Sequence, residues 1–179
     1  MYATSLDLNM GYYHIKLRPH TSRLCIVVLP WGKYEYLRLP MGLCNSSNIF
    51  QEKMSNLMQK LEFARAYLDD LLLISRDSFD QHLNDLEPAL TRLSDTGLRI
   101  NTSKSSFCKA ELEYLGYWIT RNGIRPVTKK VEAIQKIKPP KSSKELQTFI
   151  GMVNYYRDIW PQRLHILVPL MSMTLSAIK

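Results

Sequence analysis

Two adjacent acids inside an otherwise apolar run limit what this chain can fold into more than any other feature. Ala66-Tyr67-Leu68 precedes Asp69-Asp70, and Leu71 to Ile74 follows. Neighbouring carboxylates repel, and with so little polar sequence around them at least one is pushed toward protonation. The pattern fits two strands joined at a tight turn. A divalent cation would relieve the repulsion, and carboxylate oxygens suit magnesium or manganese. An ordinary exposed Asp-Asp turn is spelled the same way, so the dipeptide alone does not decide between them.

Asp7 shifts the balance. It lies in Ser5-Leu6-Asp7-Leu8, a second strand-like apolar run holding an acid with no neighbouring base. Strand-borne acids brought together by the fold could hold two ions about 3.5–4 Å apart, the arrangement used for in-line nucleotidyl displacement. One ion would acidify a primer 3′-hydroxyl and the other would neutralise the triphosphate. Spacing alone does not bring the acids together.

Charge adds a direction. The formal net charge is +8, with ten Lys and Arg against eleven Asp and Glu up to Thr96, and fourteen against five from Gly97 onward. The excess base in the second half favours a polyanionic partner, a soluble basic domain being the alternative. Cys25, Cys44 and Cys108 are odd in number and widely spaced, and the histidines are scattered. That argues against a disulfide framework or zinc site and for a reducing, intracellular setting. No apolar run reaches membrane-spanning length.

Periodicity supplies the elements. Arg23 to Leu39, interrupted at Pro30-Trp31-Gly32-Lys33, reads as a β-hairpin. Phe50, Met54, Leu57 and Leu61 mark one face of a helix capped by Asn45, Ser46 or Ser47. Phe79, Leu83, Leu86, Leu90 and Leu93 mark a second, stopped at Gly97. Glu113 to Thr120 reads as a strand followed by an Asn122-Gly123 turn. Pro139-Pro140 ends a helix bearing Val131, Ile134 and Ile137, and Ser142 with Glu145 makes a capping box for the next. Hairpins alternating with helices predict an α+β fold, an antiparallel sheet with helices on one face, followed by a helical lobe. The expected division is 1–125 and 126–179.

The motifs taken in order resemble reverse transcriptases, in particular those of gypsy-type long-terminal-repeat retrotransposons. Tyr67-Leu68-Asp69-Asp70 is similar to their YxDD signature, SLDLNMGYYHIKL to their first catalytic motif, and LPMGLCNSSNIFQ to a Leu-Pro-x-Gly-Leu stretch ending in Phe-Gln. GLRINTSKSSF, EYLGYWITRNGI and KKVEAIQKIKPPKSSKELQTFIGMVNYYRDIWP continue the resemblance to about Leu170. It implies a right-hand polymerase palm with a thumb lobe, acting as an RNA-directed DNA polymerase on a template–primer duplex and deoxynucleoside triphosphates. Asp7, Asp69 and Asp70 would be the catalytic, metal-binding carboxylates for two Mg2+ ions (Mn2+ also suits them), with Leu8 adding a backbone carbonyl. Tyr12 would be the steric gate against a ribose 2′-hydroxyl, Met10 and Gly11 would line the triphosphate, and Met41 would face the nucleotide where relatives carry Phe or Gln. Gln51 would support template or nucleotide, and Lys104 would protonate pyrophosphate, with Ser105 beside it where Cys is usual. Leu115-Gly116 would be the primer grip. Lys129, Lys130, Lys136, Lys138, Lys141 and Lys144 would track the duplex backbone.

The chain departs from the pattern at Tyr13-His14 and Ser46-Ser47, and the basic fingers segment expected ahead of the first motif is missing, leaving the 23–39 hairpin as its remnant. A fragment is therefore expected. An inert retroelement remnant that still binds nucleic acid is the alternative to an active polymerase domain.

Overall fold

The computed structural model describes residues 1–176. Two compact units divide the chain, Met1–Leu112 and Glu113–Lys179. The boundary expected between residues 125 and 126 thus falls inside the second unit.

In the first unit, β1 (Tyr2–Asn9) runs into a short 3-10 turn, Gly11–His14, and a single helical turn α1 (Pro19–Ser22). The hairpin β2 (Ile26–Leu29) and β3 (Gly32–Glu35) follows, with Leu29 opposite Gly32 across Pro30-Trp31. Next come α2 (Ser46–Leu57), β4 (Ala64–Tyr67), β5 (Asp70–Ser75), α3 (Phe79–Asp95), β6 (Arg99–Ile100) and β7 (Ser106–Lys109). Apart from the separate β2–β3 hairpin, the strands form one antiparallel sheet in the order β4-β5-β1-β6, with β7 also paired to β1.

Strand alternation sorts this sheet's two faces. Leu6 and Leu71 are cross-strand partners, and with Leu8 and Leu73 they enter a core shared with Phe50, Met54, Leu86, Ala89 and Leu93 of α2 and α3. Each fully buried large side chain there contributes roughly 1.5–3 kcal/mol. Asp7 and Asp70, one residue out of step, are cross-strand partners on the opposite face.

The helices begin and end for identifiable reasons. The α2 stripe was expected to reach Leu61, but the helix stops at Leu57. Lys60 then takes a left-handed φ of 69°, and Arg92 Nη1 donates to the carbonyls of Leu57 and Gln59 at 2.8 and 2.7 Å. Asn45 stands at the N-cap without a side-chain bond, while the Ser46 hydroxyl donates to the Pro40 carbonyl at 2.6 Å and fixes the preceding loop. Ser78 caps α3 by accepting from Gln81 N–H at 3.1 Å, and Gly97, φ 74°, follows its end.

A polar knot joins α3 to the sheet. His82, fully buried, meets Thr4 Oγ1 at 2.7 Å and Ser75 Oγ at 2.9 Å. Ser75 donates in turn to Asp85 Oδ2, and Cys108 N–H donates to Thr4 Oγ1 at 3.0 Å.

The second unit holds a three-stranded antiparallel sheet of β8 (Leu112–Tyr114), β9 (Tyr117–Thr120) and β10 (Gly123–Pro126). The single strand expected over Glu113 to Thr120 is broken in two. Leu115 and Gly116 have φ of 47° and 80°, and successive left-handed residues turn the chain back as a tight hairpin. Then come α4 (Thr128–Gln135), α5 (Ser143–Asn154), a 3-10 turn at Arg157–Ile159 and α6 (Arg163–Ser176). The capping box forms in altered shape: Ser142 accepts from Glu145 N–H at 3.2 Å, but Glu145 accepts from the N–H of Lys141 rather than Ser142. The three cysteines are unpaired, and among the described residues no helix is long and apolar enough to cross a membrane.

Candidate active site

The hairpin β4–β5 carries the two adjacent acids at its turn, Asp69 in the link and Asp70 opening β5. Tyr67 pairs with Asp70, leaving Leu68 and Asp69 as the two linking residues. Leu68 adopts φ 52°, a conformation that costs a non-glycine residue about 1 kcal/mol or more and persists only where surroundings hold it. Asp69 is tied into the sheet by its main chain, its carbonyl accepting from Leu8 N–H at 2.8 Å.

Asp7 faces Asp70 directly across β1 and β5. Directly opposed residues have Cβ atoms about 4.5–5.5 Å apart, and like charges so placed repel. Burial raises the Asp70 carboxyl above its ordinary value, the negative charges of Asp69 and Asp7 raise it further, and Lys104 lowers it. All three acids are half-buried, and Asp7 and Asp70 share the face opposite the helix-packed core.

A second loop braces Asp7. Its carbonyl accepts from Asn101 N–H at 2.8 Å, and its N–H donates to Ser105 Oγ at 3.0 Å. Ser105 Oγ donates onward to the Asn101 carbonyl at 2.8 Å. The 101–105 turn therefore sits beside the acids and brings Lys104, exposed, within electrostatic reach of Asp70. In the sequence Ser105 stands out only as a departure from Cys. Its bond to a backbone N–H across 98 positions of sequence left no trace in the local pattern.

The remaining candidates fall at different places. Met10 is exposed with φ 53°, while Gly11 is buried, and a Cβ on Gly11 would overlap the Phe50 ring. Tyr12 stacks on Phe50 at 4.7 Å between centroids, its hydroxyl donates to Ser47 Oγ at 3.3 Å, and only 7% of it is exposed. Met41 is exposed beyond Pro40. The Gln51 side-chain amide meets Ala66 O, Leu68 N and Ser55 Oγ. In the second unit, Tyr155 donates from its hydroxyl to the Leu115 carbonyl, Tyr117 donates to the Tyr155 carbonyl at 2.7 Å, and the two rings stack at 5.6 Å. A Cβ on Gly116 would lie 3.2 Å from the Tyr155 hydroxyl and closer still to Lys130 Nζ. The six lysines from Lys129 to Lys144 are exposed.

The donor set suits a hard divalent cation, since it consists of carboxylates whose mutual repulsion such a charge would relieve. Among the described residues, however, no group of three His, Cys, Asp or Glu side chains is already gathered closely enough to hold one.

An antiparallel sheet packed on two helices, with acids from adjacent strands on its opposite face, has the architecture expected of a right-hand polymerase palm. Residues 1–119 match the family model described as reverse transcriptase (RNA-dependent DNA polymerase). The chain is 37% identical over 175 residues to the retrovirus-related Pol polyprotein from transposon opus of Drosophila melanogaster, covering 97% of this chain and 17% of that protein. It is 33% identical over 156 residues to the corresponding polyprotein from transposon gypsy of the same organism, covering 86% and 15%. Among solved structures, the foamy viral protease-reverse transcriptase dRH in complex with double-stranded DNA superposes with a TM-score of 0.89 at 26% identity, covering 98% of this chain and 31% of that one. The foamy viral protease-reverse transcriptase in complex with an RNA/DNA hybrid gives a TM-score of 0.84, also at 26% identity, covering 98% and 24%. This chain belongs to the reverse transcriptase family, and it spans less than a third of the length of each of these relatives.

Proposed function

We propose that the first unit carries the carboxylate site of an RNA-directed DNA polymerase, transferring a nucleotide to a primer 3′-hydroxyl. The observation that carries this reading is the register of β1 against β5, which sets Asp7 opposite Asp70 with Asp69 in the adjoining turn. Asp7, Asp69 and Asp70, with the carbonyl of Leu8, would hold the divalent cations. Magnesium bound there would supply charge neutralisation at the phosphates and acidify the attacking hydroxyl.

The chain's own residues do the rest. Ser105 and Asn101 fix the Asp7 backbone, so its carboxylate has a set origin. Lys104, close enough to influence Asp70, would give a proton to departing pyrophosphate. Phe50 holds Tyr12 rigid, so a filter against the ribose 2′-hydroxyl requires the ring's 7% exposed surface to be the edge that meets the sugar. Exposed Met10 and Met41 offer adaptable apolar contacts to the incoming deoxynucleotide, and Gly11 adds backbone near the triphosphate. The Leu115-Gly116 turn would steady the primer, and the exposed lysines of the second unit would follow the template–primer backbone. Three unpaired thiols suit an intracellular setting.

Primer extension on a poly-rA template with magnesium tests the reading, with an Asp69→Asn, Asp70→Asn double variant alongside. Incorporation by the parent and none by the double variant is expected. Incorporation that survives the substitutions would remove the carboxylates from the chemistry. Absence of incorporation by both would favour an inert remnant that retains nucleic-acid binding.

A further inference from the structure

We infer that Gln51 is a positioning residue for the carboxylate hairpin, and that it works by standing in for a missing neighbouring strand. The inference rests on the carboxylate site proposed above. β4 is the edge strand of its sheet, and its outer side faces α2. An edge strand leaves alternate N–H and C=O groups without a ladder partner. On β4 and its turn, two such groups are the Ala66 carbonyl and the Leu68 N–H, and one side chain satisfies both. Gln51 Oε1 accepts from Leu68 N–H at 2.7 Å, and Gln51 Nε2 donates to the Ala66 carbonyl at 2.9 Å. The orientation of the amide is forced, because an N–H only donates and a carbonyl only accepts. A third bond, from Nε2 to Ser55 Oγ at 3.1 Å one turn further along α2, fixes the rotamer.

The location gives these bonds their consequence. Leu68 is the left-handed residue of the turn, and the next two residues are Asp69 and Asp70. A strained two-residue link relaxes readily, and relaxation would swing both carboxylates relative to Asp7. Gln51 holds the link from the side that β5 does not cover. It therefore acts on the reaction through Leu68 and has no need to touch template or nucleotide.

Few other side chains can do this. Methionine matches the length and offers neither bond. Asparagine is one methylene too short to reach from the same backbone. Ionised glutamate keeps the acceptor for Leu68 N–H, turns a second lone pair toward the Ala66 carbonyl and adds a charge beside two others. Protonated glutamate has one acceptor and one donor, as the amide does.

The test measures backbone amide exchange in the full chain alongside primer extension with magnesium. In Gln51→Met, exchange at Leu68 should quicken tenfold or more while Leu71 and Leu73 in the core of β5 stay within about twofold. Its kcat should fall by about 10–100-fold, the usual effect of removing a residue that orients another, with the KM for deoxynucleotide nearly unchanged. Gln51→Glu should recover relative to the parent as pH falls and its carboxyl gains a proton, which loss of packing alone would not produce. Unchanged exchange at Leu68 in Gln51→Met overturns the inference. A raised KM with kcat intact does so too, because it would place Gln51 on the nucleotide. A parent chain without activity would refute the proposed function, and the exchange measurement would still decide the role of Gln51.

Discussion

Replacing His82 by leucine should destabilise the first unit more than a volume-conserving swap of apolar core residues does. The proton positions in the knot around this residue follow from Asp85, which as a carboxylate only accepts, and from a neutral ring. Cys108 N–H donates to Thr4 Oγ1, and Thr4 keeps its own proton for His82 Nε2 when the ring is neutral with its proton on Nδ1. Ser75 gives its proton to Asp85, so it accepts from His82 Nδ1–H. The ring is therefore the neutral Nδ1–H tautomer with both nitrogens occupied. Leucine removes two hydrogen bonds worth about 1 kcal/mol each and strands the Thr4 hydroxyl proton, for a further 1–3 kcal/mol. Better burial of the leucine offsets part of this, leaving a loss of about 2–4 kcal/mol. Urea unfolding followed by far-UV circular dichroism measures it.

The pH dependence has a definite sign. Burial holds the folded-state pKa of His82 below its ordinary 6.5, partly opposed by Asp85. Below 6.5 the unfolded chain binds a proton that the folded chain resists, so stability should fall as pH drops from 6.5 through the lowered folded value. His82→Leu should flatten that slope. A loss under about 0.5 kcal/mol, or an unaltered pH slope, would refute the proton assignment.

Asp70→Asn should raise stability while abolishing activity. The raised folded pKa means the folded chain binds more protons than the unfolded one between 3.8 and that value, so ionised Asp70 costs stability at neutral pH. Solvent screening of the half-exposed group limits the gain to no more than about 1 kcal/mol, readable by thermal unfolding. Gly11→Ala should cost about 1–3 kcal/mol through overpacking against Phe50, with loss of the Tyr12–Phe50 stack visible in near-UV circular dichroism. Tyr155→Phe removes the hydroxyl bond to Leu115 and should cost about 0.5–1.5 kcal/mol in denaturant unfolding, with faster exchange in the Leu115-Gly116 turn.

What could be read from sequence follows the range of the forces involved. α2 and α3 declared themselves because Phe50, Met54, Leu86 and Leu93 recur at helical spacing toward one core. The Asp69-Asp70 hairpin was legible because apolar runs on both sides of two acids leave few alternatives. The left-handed backbone at Met10, Leu68 and Leu115 was not, because these residue types rarely adopt it and tertiary bonds hold it where it occurs. The bonds from Gln51 to Leu68 and from Asp7 to Ser105 join residues 17 and 98 positions apart, and neither partner's immediate sequence records the other. The stacking of Tyr12 on Phe50 was not legible either, because motif position does not reveal burial.

Whether Asp7 and Asp70 serve one reaction is decided most directly by single-turnover primer extension on an RNA template with Asp7→Asn, Asp70→Asn and the variant carrying both. A shared site predicts that each single substitution lowers the rate about a thousandfold or more and that the pair is scarcely worse than either alone, as for residues acting as a unit. Multiplying losses, or either single variant extending primer at near-parental rate, would contradict it.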